Sequence, residues 1–158
     1  METVRVAVRT YAQSPSTEPS SRNMSEARLP PVRNRERLVR AMGYWPSFHD
    51  ANVLSAARKG ERCVVHLHVF RMTNEVDERG YFVLTGHHRV QLEMTGVSEC
   101  SLPAGYESDT LFELLIEGSE GAMTVAFNSV TDQHWRVTCR EVCVSDVVPC
   151  GPRGELAS

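Results

Sequence analysis

The run Cys63-Val64-Val65-His66-Leu67-His68-Val69-Phe70 decides the fold. Side chains alternate along a strand, so Cys63, Val65, Leu67 and Val69 share one face, and Val64, His66, His68 and Phe70 the other. Both faces are largely apolar, which predicts a central strand of a sheet.

The same period continues downstream. Residues 74–80 are polar, end in Gly80 and read as a hairpin connection into a strand from Tyr81 to about Thr95. In that strand Phe82, Leu84, His88, Val90, Leu92 and Met94 are expected on one side, and Thr85, His87, Arg89, Gln91 and Glu93 on the other. Gly86 marks a bulge or bend. Residues 98–108 carry Pro103 and Gly105 and read as a loop. Further strands are expected at about 110–117, 122–128 and 134–144, with a tight connection at 118–121. In the last, the apolar phase switches between Trp135, Val137, Cys139 and Val142, Val144, which predicts a bulge near Arg140. Upstream, Leu38, Ala41 and Met42 share a helical face over 35–42, Asn34 can cap its start, Gly43 closes it and Pro46 forbids continuation. These elements predict a mainly β fold, all-β or α+β: an antiparallel sheet, sandwich or partly closed barrel of about six strands with one short N-terminal helix.

At 158 residues and 41% hydrophobic content, one domain can bury a sizeable core. Residues 32–148 are expected to form it. Ser, Pro, Thr and Glu dominate positions 14–31, so 1–31 reads as a flexible leader; Val4, Val6 and Val8 alternate with Arg5, Ala7 and Arg9 as a short edge strand over 4–10 would. Residues 149–158 read as a flexible tail. No run approaches ~20 apolar residues and no signal-peptide pattern opens the chain, so no membrane role and a cytoplasmic location are expected. Five scattered cysteines suit reduced thiols rather than a disulfide framework.

The net charge of −3 is unevenly spread: residues 90–135 hold 8 Asp/Glu and no Lys/Arg. Such a block opposes nucleic acid as a partner and suits a basic protein. Within it Glu107 and Asp109 are expected at a loop end; Glu113 and Glu117 share a strand face with Leu111 and Leu115, while Phe112, Leu114 and Ile116 face the core. These four acids are the candidate partner-binding set, with self-association also open.

Other constellations are weaker. Ser47, His49 and Asp50 have the residue types of a hydrolase triad, but four neighbouring positions rarely place an imidazole between the other two groups. His66 and His68 stand about 6.6 Å apart at Cα on one strand face, the best metal candidate, which His87 or His88 could join. A small metal-dependent enzyme built on His49, Asp50, His66 and His68 is the alternative class; an unassigned interaction domain is another. Cys139 and Cys143, about 13 Å apart along one strand, are too distant to bridge unless the strand breaks, and read as small buried hydrophobes. Trp45 and Phe48 are expected to plug the core after the helix, with His49 and Asp50 bonding backbone at the turn.

The motif Trp45-Pro46-Ser47-Phe48-His49-Asp50-Ala51 resembles the opening motif of a bacterial family, immunity protein 50. The resemblance runs from about Arg33 to Asp146 and includes the helix, the segment 90–97 and a last strand through Trp135 to Val144. It implies a cytoplasmic protein that neutralises a toxin by binding, without catalysis or cofactor. The chain departs from the pattern in its long leader and in Asn52, where an acidic residue would be expected, so no role is carried to that position.

Overall fold

A computed structural model describes residues 31–156. The leader and the edge strand expected at 4–10 lie outside these residues, position 31 apart. Helix α1 spans Arg35–Met42 and buries Leu38 and Met42. Gly43 ends it in the left-handed conformation, its N–H donating to the Val39 carbonyl at 2.7 Å. Asn34 does not cap it: its side-chain amide instead reaches the Cys143 sulfur at 3.4 Å.

The rest is mainly strand: β1 (Asn52–Lys59), β2 (Arg62–Val76), β3 (Phe82–Thr95), β4 (Glu99–Cys100), β5 (Asp109–Ser119), β6 (Ala122–Ser129), β7 (Trp135–Cys139) and β8 (Glu141–Pro149). They form one antiparallel sheet, ordered β4-β7-β6-β5-β1-β2-β3-β8, that does not close into a barrel. Among the described residues eight strands replace the expected six or so. β1 is half exposed and reads too polar for a strand pattern, β4 has two residues, and the expected strand at 134–144 breaks at Arg140. The phase switch there is more than a bulge: β7 pairs with β6 and β8 with β3, on opposite flanks of the sheet.

β1 and β5 share only Asn52–Thr110 and Val53–Asp109, so the sheet is divided into two halves at a narrow seam. One buried cluster draws on both, from Val65, Leu67 and Leu92 in one half to Val125, Phe127 and Val137 in the other. Trp135 stacks on Phe127 at 4.1 Å and 9°, filling it. Cys63 and Cys139 are buried there as free thiols, pushed up to about 12 and about 11 chiefly by burial, so both stay protonated.

Two register shifts re-aim side chains. Val69 pairs with His88 but Arg71 with Thr85, so β3 carries an extra residue beside Gly86 at φ 62. One extra residue flips the alternation. Phe82 and Leu84, expected with the core set, therefore face outward at 44% and 37% exposure. A second shift between Leu111 and Glu113 puts Leu111 in the core at 0% and leaves Phe112 partly exposed, the reverse of the expected facing.

Within the expected tail 149–158, Cys150 bridges to Leu156 and the Gly151 and Gly154 amides close a hook. Gly154 is buried under it, where an added Cβ would stand 3.2 Å from that of His68.

Candidate functional site: the motif turn and the outer face of β5

Pro46 and Phe48 are buried, and Trp45 is partly so, meeting Phe48 edge-on at 5.5 Å. Phe48 and Asp50 both hold positive φ, 62° and 70°, which non-glycine residues rarely adopt. The turn is held against β5. The Asp50 amide donates to the Leu111 carbonyl at 2.9 Å, and His49 Nδ1 donates to the Phe112 carbonyl at 2.7 Å. Because a carbonyl only accepts, Nδ1 carries the proton of neutral His49. Nε2 is then buried without a hydrogen-bond partner among the described residues, 3.9 Å from the Asp50 carboxylate. Ser47 Oγ accepts the His49 backbone amide and is not presented to the ring. The three residues form no triad, since the imidazole does not stand between the other two groups. A cleft of about 50 Å³, lined by Tyr44, Ser47, Phe48, His49 and Phe70 among others, opens beside them.

His66 and His68 sit on one face of β2, as expected, but in separate hydrogen-bond sets. His66 lies between Ser55 Oγ at 3.0 Å and Gln91 Oε1 at 3.1 Å. His68, 1% exposed, lies between Asn52 Nδ2 at 3.2 Å and His87 Nδ1 at 2.9 Å. Among the described residues no three His, Cys, Asp or Glu side chains gather as a metal would require. The donors run one way: the Thr110 hydroxyl donates to Asn52 Oδ1, the Asn52 amide to His68 Nδ1, and His68 Nε2–H to His87. This chain needs both rings neutral.

Burial, then the neighbouring His87, hold the His68 pKa below its ordinary value, against a weaker opposite pull from Glu155. A depressed histidine leaves stability intact above the unfolded pKa near ~6.5 and removes it as pH falls toward the folded value. Melting temperature is therefore expected to drop on acidification from about pH 7 to 5, and the drop to shrink in His68→Gln. Equal slopes in both proteins would contradict this.

The acidic residues separate. Asp109 accepts from Ser129 Oγ at 2.5 Å and from the Thr110 amide at 2.8 Å, which ties it into the start of β5. Glu107 is exposed in the preceding loop. Glu113, Leu115 and Glu117 fall on one outward face, with Leu115 39% exposed and neither carboxylate in an ion pair or hydrogen bond among the described residues. Opposite them on β6 lie Asn128, Ala126 and Thr124. Arg136, paired to Ala126, stands on the same face two strands from Leu115, about 10 Å away. Sequence blocks placed Arg136 outside the acidic region, and only register brings it in. Phe112 was likewise missed as the contact between face and motif: His49 meets its ring edge-on at 5.9 Å, beside Glu113.

This arrangement suits binding: an outer face with an exposed leucine between two carboxylates that have no ion-pair partner among the described residues, bordered by the motif turn. Comparison with family models, curated proteins and solved structures yields no match for this chain. Among the described residues no helix is long and apolar enough to cross a membrane.

Proposed function

We propose that this chain is a cytoplasmic, non-catalytic binding protein of the immunity type, which captures a basic toxin domain on the outer face of β5 and the adjoining motif turn. The observation that carries this reading is the row Glu113, Leu115, Glu117, in which two carboxylates with no ion-pair partner among the described residues flank an exposed leucine. A leucine supplies apolar area and the acids steer a cationic partner, with charges at the rim acting mainly on association rate. The resemblance of residues 45–51 to the immunity motif supports the same reading.

The test is capture of a basic toxin domain encoded next to this gene, by the wild type and by Glu113→Lys with Glu117→Lys. The double reversal is expected to leave melting nearly unchanged and to weaken capture about 100-fold or more, and added salt should weaken the wild-type complex. Capture insensitive to both changes would remove the β5 face from the proposal.

A further inference from the structure

The strands β2 and β3 outrun their neighbours. β1 pairs with β2 only as far as His68, and β8 with β3 only from His88, so residues 70–87 form a two-stranded arm with no lateral strand among the described residues. Met72 pairs with Leu84 and Val76 with Phe82, which puts all four on one face, the face that also carries Phe70 and His68. Their exposures are 39%, 37%, 56% and 44%, and Tyr81 at the tip is 66% exposed. The bulge at Gly86 creates this face by turning Phe82 and Leu84 away from the core.

We propose that this face is where two copies of the chain pair, their arms stacked face to face and antiparallel. The charge pattern selects a second copy. The tip carries Glu75, Asp77 and Glu78 against the single Arg79, whereas the root of the same face carries Arg89, opposite His68 and with no ion-pair partner among the described residues, beside the C-terminal hook on His68, whose Arg153 and Glu155 offset each other. A two-fold axis through the apolar middle lays each acidic tip on the other copy's basic root. Such a patch is complementary to itself, as a two-fold interface requires.

Size agrees. At ~200 Å² for a large apolar side chain, the five exposures expose roughly 400–500 Å² per chain, about half of the ~800 Å² that a standard interface buries on each side. Peptide groups and polar side chains of an arm about 20 Å long can supply the remainder. The β5 face lies in the other half of the sheet and stays open, so the pairing is independent of the toxin reading.

Sedimentation of the full chain across a concentration series is expected to show a monomer–dimer equilibrium. Phe82→Glu should weaken it by about 100-fold while melting holds, because that ring is already part exposed in the monomer. Glu78→Arg and Arg89→Glu should each weaken pairing about tenfold, and together restore it. A monomer at every concentration, a dimer indifferent to Phe82→Glu, or no restoration in the paired swap would each overturn the proposal. So would a chain that dimerises through this face only after residues 1–30 are removed, since that segment would then be its occupant.

Discussion

Phe48→Ala is expected to lower stability by about 3–5 kcal/mol, the range for emptying a large buried aromatic site. The side chain is 4% exposed and belongs to the buried cluster, with Trp45 edge-on against it. Its backbone offers a second, opposite signature. At φ 62 an L side chain pays a steric penalty that glycine escapes, so Phe48→Gly should be more stable than Phe48→Ala by about 1 kcal/mol, reversing the usual order. Trp45→Ala should cost less than Phe48→Ala, because the indole is only partly buried. Chemical denaturation of the three variants measures all of this. A loss below about 1 kcal/mol for Phe48→Ala would show that the motif turn does not anchor the core.

Gly118→Ala is expected to cost about 2–4 kcal/mol, combining a strained backbone with a steric conflict. Gly118 holds φ 111, and a Cβ there would stand 2.2 Å from the Ala122 carbonyl oxygen. That oxygen belongs to the partner strand and has no rotamer to escape into. The hairpin must open or shift, and with it Glu117 at the end of the outward row. A melting curve close to wild type would mean that β5 and β6 yield more easily than a paired ladder should. Gly121→Ala, at φ 93 but with open space around it, should cost less, which separates strain from collision.

Much of the fold was legible because the alternation of apolar residues in β2, β6 and the far half of β3 reflects the geometry of a strand itself. Gly43 and Gly86 announced a helix end and a bulge, since both positions need a backbone that only glycine adopts easily. The phase switch near Arg140 was visible too. Its meaning was not: a local pattern cannot tell a bulge from a chain that leaves one flank of the sheet for the other. β1 escaped because Arg58, Lys59 and two alanines make a strand that its neighbours, more than its own side chains, hold in place.

The candidate site divides the same way. Its residue types, the apolar and acidic alternation of 113–117 and the aromatic motif with His49 and Asp50, stand in the sequence alone. The sequence by itself determined a mainly β core of antiparallel strands entered by a short helix, leaving sheet, sandwich and barrel open, because period and punctuation are local properties of the chain. Tertiary structure alone decided that Leu111 leaves the acidic row for the core, that Asp109 is tied into the start of β5, that Arg136 joins the row, that His49 bonds the Phe112 carbonyl rather than a neighbour in sequence, and that Phe82 and Leu84 point away from the core. The facings depend on register between paired strands and the His49 bond on a contact distant in the chain, neither of which a local pattern shows; one inserted residue reverses every facing beyond it.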